Sequence, residues 1–169
     1  MINLATAKLR INQFTFVKNY GELKKTNIMN RTITKEKVFN HSIDQIWNAI
    51  TKAEEISTWF IQADFKAEVG YQYTFNSSGE DCSPIIGEVL SANPYTLVYT
   101  WIVKDTPATT TVTWKLESVE NGTKLHLEHS GIENYAGETA IAMFESFNGG
   151  WDNCINGLTD FLKEEVNAR

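Results

Sequence analysis

Cysteine and proline are scarce: the 169 residues hold two of the first and three of the second. Cys82 and Cys154 match no metal-ligand or redox spacing, and Cys154 reads as inert packing. Apolar runs stay well short of the ~18 residues that would suggest a membrane span. With no signal-like apolar block near the start, a reducing cytoplasm is the expected setting. Phosphate-loop, dinucleotide-fingerprint and nucleophile-elbow patterns are all missing, so no cofactor is expected. The three histidines do not converge, since His41 precedes a helix and His126, three residues from His129 on the same strand, faces the other way, which argues against a His-based metal site.

Positive charge is also thin beyond the first segment. Residues 1–29 carry +4, from Lys8, Arg10, Lys18, Lys24 and Lys25 against Glu22; with a chain total of −6, residues 30–169 carry −10. A domain that acidic is a poor partner for nucleic-acid phosphates. Residues 1–29 read as an N-terminal extension, either flexible and loosely docked or an over-long start with Met29 as the true beginning. They lack serine and hold one arginine, unlike a transit peptide. Residues 30–169 read as one domain.

What the chain does hold is apolar and aromatic surface, at 42% and 12% of residues. Residues 138–166 form the longest patterned stretch. At ~100° per residue, Met143, Phe144, Phe147, Trp151, Cys154, Ile155, Leu158, Phe161, Leu162 and Val166 gather on one face, predicting a long amphipathic helix. Upstream, 30–40 reads as a strand. Ser42 with Gln45 three residues on is a capping box opening a short helix, and 53–60 forms a second. From about 63 to 130 the period becomes two, over 64–69, 71–75, 84–92, 95–103, 109–119 and 123–131. Asn76–Asp81 and Asn93-Pro94 read as turns, and Asn121-Gly122 as a hairpin. Gly87 leaves room for a bend or a close neighbour. The fold class is therefore α+β: an antiparallel meander that must curl, with the terminal helix against its concave face and two short helices after the first strand.

This order resembles the START-like helix-grip superfamily, also called SRPBCC, and within it the homologues of the Aha-type chaperone ATPase activator. The stretches that carry the resemblance are IWNAITKAEEISTWF, GYQYTF, GEVLSANPYTLVYTW, NGTKLHLEHSG and GGWDNCINGLTDFL, all within residues 31–166. Where the family has two glycines before the aromatic strand, this chain has Gly70 followed by Tyr71. The chaperone activator's additional N-terminal domain is not expected here. The resemblance implies a cavity between sheet and helix. It leaves open a hydrophobic, aromatic or lipid-like ligand, a chaperone-interacting stress-regulatory role, and a cyclase- or hydrolase-like enzyme; binding without catalysis is the expectation carried forward.

The alternation points Phe65, Tyr73, Phe75, Tyr99, Trp101, Trp114 and His129 inward, opposite Phe147 and Trp151. Any one of these is accounted for as core. As a set they bring several polar handles into an apolar concavity, the usual composition of a ligand site. Trp59, Tyr73, Phe75, Tyr99, Trp101, Trp114, His129, Phe147 and Trp151 are the candidate ligand-binding residues. His129 reads either as a hydrogen-bonded structural histidine or as a ligand anchor or acid–base group. On the helix, 147–154 is expected to border the cavity and Leu158 onward to be plain core. Gly150 and Gly157 cost helix stability; close approach of a neighbour is the expected reason, with a hinge at Gly149–Gly150 the alternative.

Overall fold

The computed structural model describes residues 32–77 and 83–167, with side chains described as far as Glu164. The extension at 1–29, Cys82, most of the expected 76–81 turn and the Val166 side chain lie outside the described residues. The chain runs β1 (Ile33–Phe39), α1 (Ile43–Thr51), α2 (Ala53–Trp59), β2 (Gln62–Asp64), β3 (Gln72–Asn76), β4 (Ile85–Asn93), β5 (Thr96–Val103), β6 (Thr110–Val119) and β7 (Gly122–Ser130). A 3₁₀ turn at Ile132–Asn134 leads to α3 (Glu138–Asn167). The strands form one seven-stranded antiparallel sheet in the order β1-β7-β6-β5-β4-β3-β2. First and last strands of the 33–130 stretch are therefore neighbours, and the meander places the rest in sequence order.

Local chemistry explains most boundaries. Gln45 N–H donates to Ser42 Oγ at 3.3 Å and Ser42 N–H to Gln45 Oε1 at 3.1 Å, the reciprocal pair that opens α1. The Trp59 indole N–H donates to the Ala49 carbonyl at 2.9 Å, tying α2 back onto α1. Gly122, at φ +135°, turns the β6–β7 hairpin. At Gly87 a Cβ would collide with the Thr100 carbonyl oxygen and come within 2.8 Å of the Tyr73 ring, so the glycine marks a close neighbour. Just beyond it, β4 shifts register between Val89 and Ser91.

One expected strand is displaced. Of the expected 64–69 strand only Asp64 joins a ladder; β2 occupies 62–64, and Val69 is 72% exposed. Gly70, at φ +86°, donates its N–H to the Val89 carbonyl at 2.8 Å, and Tyr71 N–H closes a turn onto Glu68 at 3.0 Å. Those bonds compete with a sheet ladder and win, so Phe65 drops into the core from irregular backbone.

The core lies between the concave sheet face and α3. Trp151, Cys154, Ile155, Leu158 and Leu162 are buried from the helix, facing Leu97, Val112, Leu125 and Leu127 from the sheet. Met143, Phe144 and Phe147, in the N-terminal half of α3, are only half-buried. That difference positions the site.

Candidate functional site

At one end of the sheet, β3 finishes, β4 starts and β5 finishes side by side: Phe75 pairs with Ile85, and Ile85 with Val103. Above this rank the N-terminal half of α3 stands away from the sheet. The space between is an open cavity of about 360 Å³. Its floor is Ile85, Trp101 and Val103; its helix wall is Met143, Ser146, Phe147, Gly150 and Trp151; Phe60 and Ile61 close one side, and Ser77 and Ser83 stand at the strand ends. No ionisable side chain is among these residues.

Of the nine residues expected to line a cavity, Trp101, Phe147 and Trp151 do so. Trp59, Phe75, Tyr99 and Trp114 border a separate gap of about 10 Å³, room for one water at most. Tyr73 and His129 line neither space. The aromatic set has largely filled its own concavity: Tyr73, Phe75 and Tyr99 have ring centroids 4.6–6.4 Å apart, and Trp101 sits 5.1 Å from Trp151. On the helix the lining runs from Met143 to Trp151, a turn earlier than expected, while Cys154 is buried with its thiol pushed up by desolvation. Met143 and Gly150 could have been found from their helical spacing to Phe147, and Ser146 from its spacing to Met143 and Gly150. Ile85 and Val103 could not, because only strand register brings them together.

The polar handles are mostly paired. Trp114 Nε1–H donates to the Tyr99 hydroxyl at 2.8 Å, and the Tyr73 hydroxyl donates to the Thr100 carbonyl at 2.6 Å. Burial pushes both phenols well above their usual range. Trp151 Nε1–H donates to His129 Nδ1 at 2.9 Å. Since an indole only donates, Nδ1 accepts, and the imidazole proton sits on Nε2. Nε2–H then donates to Thr110 Oγ1 at 2.7 Å, and Thr110 donates to the Trp101 carbonyl at 2.9 Å. Burial lowers the His129 pKa from its usual 6.5 to about 3, so the ring is neutral at ordinary pH. Phe147 covers it at 4.7 Å between ring centroids. His129 therefore braces two cavity walls from behind.

The other histidines stand apart. His41 Nε2 is 3.1 Å from the Leu162 carbonyl, and His126 faces out toward Glu36. Among the described residues, no three His, Cys, Asp or Glu side chains converge on one point. Gly157 shows the expected close approach, since a Cβ would lie 3.0 Å from the Trp59 carbonyl oxygen; Gly150 does not, having no atom within 4 Å of that position.

Residues 40–163 match the family model described as Activator of Hsp90 ATPase homolog 1-like protein. Among solved structures, a protein of Mesorhizobium loti is 28% identical with a TM-score of 0.69, over 79% of this chain and 98% of that one. A Bacillus halodurans protein is 30% identical with a TM-score of 0.62, over 78% of this chain and 96% of that one. DynU16, a protein in the dynemicin biosynthetic locus, is 19% identical with a TM-score of 0.67 over 78% of this chain and 47% of its own, a likeness of fold alone. No curated protein matches.

Proposed function

The chain belongs to the Activator of Hsp90 ATPase homolog 1-like family, with its START-like helix-grip fold, and from that premise we propose that it binds a small, uncharged, largely apolar, ring-bearing ligand without catalysing a reaction on it. The cavity between the end of the sheet and the N-terminal half of α3 carries this reading. Its ~360 Å³ lies at the lower end of the range of about 300–1,000 Å³ common for small-molecule sites. Trp101, Phe147 and Trp151 offer ring faces and edges, while Ser77, Ser83 and Ser146 offer hydroxyls. Among the described residues that line it there is no cation to pair with a carboxylate, which favours a neutral ligand over a fatty acid. A two-ring ligand hiding about 200 Å² of apolar surface gains on the order of 5 kcal/mol gross, against which the lost freedom of the bound ligand is set. The cytoplasm is the setting this reading assumes.

Matched probes test it. 2-Naphthol and 2-naphthoate are titrated while tryptophan fluorescence and amide shifts are followed. The alcohol should bind at least tenfold more tightly and perturb Trp101, Phe147 and Trp151. If neither compound moves those resonances, the binding reading is lost.

A second reading rests on the family description, which names an activator of a chaperone ATPase. A surface that engages a chaperone would act independently of the cavity. Co-precipitation of the chaperone with a stimulated ATPase rate, unchanged when Trp101 or Phe147 is replaced, would favour that role. A cyclase- or hydrolase-like role through His129 has less support, because both ring nitrogens are already engaged away from the cavity.

A further inference from the structure

The helix wall of the cavity has a gap in it. Met143, Ser146, Phe147, Gly150 and Trp151 line the cavity from α3. At ~100° per residue these five fall within an arc of roughly 140°, with Gly150 in its interior between Ser146 and Met143. A Cβ built at Gly150 meets no atom within 4 Å. Glycine within a helix is less stable than alanine, so packing and propensity both permit a side chain where there is none. Gly157 differs, because the Trp59 carbonyl occupies the space beside it. What the missing side chain at 150 leaves is open space on the exposed helix wall of the cavity.

The geometry points to Gly150 as the residue that sets how large a ligand this cavity admits. The inference rests on the binding reading above and deepens it. With Ile85, Trp101 and Val103 as the facing floor, a side chain at 150 would project from the helix arc toward the same space a second ring needs. A ligand with one ring fits beside Trp101 whether or not position 150 carries a side chain. A ligand with two or more rings requires the glycine.

Gly149 supplies the control. A Cβ there also meets nothing within 4 Å, yet Gly149 is not part of the lining. Gly149→Ala and Gly150→Ala therefore share the gain in helix stability, a rise of about 2–4 °C in Tm, and differ in what they do to the cavity.

The test uses the full chain with two neutral probes. N-phenyl-1-naphthylamine, which fluoresces on burial, reports a large ligand; phenol, followed by amide shifts, reports a small one. Gly150→Leu should weaken the large probe at least tenfold and phenol less than threefold, and Gly149→Ala should leave both within twofold. Gly150→Ala, which adds one methyl group, should weaken the large probe two- to fivefold and gives the answer if the leucine variant folds poorly. Large-probe binding within twofold of the parent in both Gly150 variants overturns the proposal and leaves the binding reading standing. Equal loss of both probes also overturns it, since the cavity would then be closed rather than resized. If the parent binds neither probe, the binding reading fails and this proposal falls with it.

Discussion

The indole N–H of Trp151 donates to Nδ1 of His129 at 2.9 Å, across the seam between α3 and β7. That bond joins the helix to the sheet at the depth of the cavity. It also sets the histidine tautomer and so directs the next bond, to Thr110 at 2.7 Å. Two cavity-lining tryptophans, 101 and 151, are thereby held through one buried imidazole, Trp101 by its own backbone carbonyl.

Replacing His129 with leucine keeps an apolar filler but strands the Trp151 N–H in the core. Leaving a buried donor unpaired costs about 1–3 kcal/mol, and urea unfolding should show at least that loss. Adding Trp151→Phe to the leucine variant removes the stranded donor. The two changes together should therefore cost less than the sum of each alone.

The same histidine predicts an acid-dependent loss of stability. Its folded pKa of about 3 lies below the unfolded value near 6.5, so between those limits the unfolded chain holds a proton that the folded chain does not. The contribution is complete above pH ~6.5 and falls by about 1.4 kcal/mol per unit as pH drops toward 3. Stability measured from pH 7 to 4 should be steeper for the parent than for His129→Gln. Parallel curves would show that this imidazole does not govern the slope.

Trp101 and Trp114 are both buried, yet only one has its donor paired. Among the described residues the Trp101 indole N–H has no hydrogen-bond partner, whereas Trp114 donates to Tyr99. Phenylalanine at either site removes a similar ring volume. Trp114→Phe should therefore be the costlier change by about 1–2 kcal/mol in urea unfolding, because it also breaks a made bond.

Gly87→Ala should be among the more damaging single-methyl additions in the chain. Its Cβ would overlap the Thr100 carbonyl oxygen, whose acceptor role for the Tyr73 hydroxyl fixes that stretch of β5. Overpacking of this kind costs about 3 kcal/mol or more where backbone must move. A Tm within 2–3 °C of the parent, a shift corresponding to about 1 kcal/mol, would contradict this.

Much of the architecture was legible because local rules act over short distances. The capping box at Ser42, the Asn121-Gly122 hairpin and the helical face from Met143 to Leu162 each follow from neighbours within about one turn. Strand alternation correctly assigned Tyr73, Phe75, Tyr99, Trp101, Trp114 and His129 to the inner face. It failed at 65–69, where the Gly70 turn bonded to Val89 instead. Alternation names a face but carries no depth along the strand. It could not separate Trp101, which borders the cavity, from Tyr99 two residues earlier, which helps fill the core.

The sequence by itself determined that a long aromatic helix face had to meet a curved sheet with an equally aromatic interior, since neither could remain in water. Tertiary structure decided where the two surfaces part. The cavity is the volume left over after side chains from Phe60, Ile85, Val103 and Trp151, far apart in the chain, have packed. Register and helix placement set that remainder, and no local pattern records it. The same holds for the two helix glycines: their spacing looked equivalent, but a carbonyl lies beside Gly157 and empty space beside Gly150.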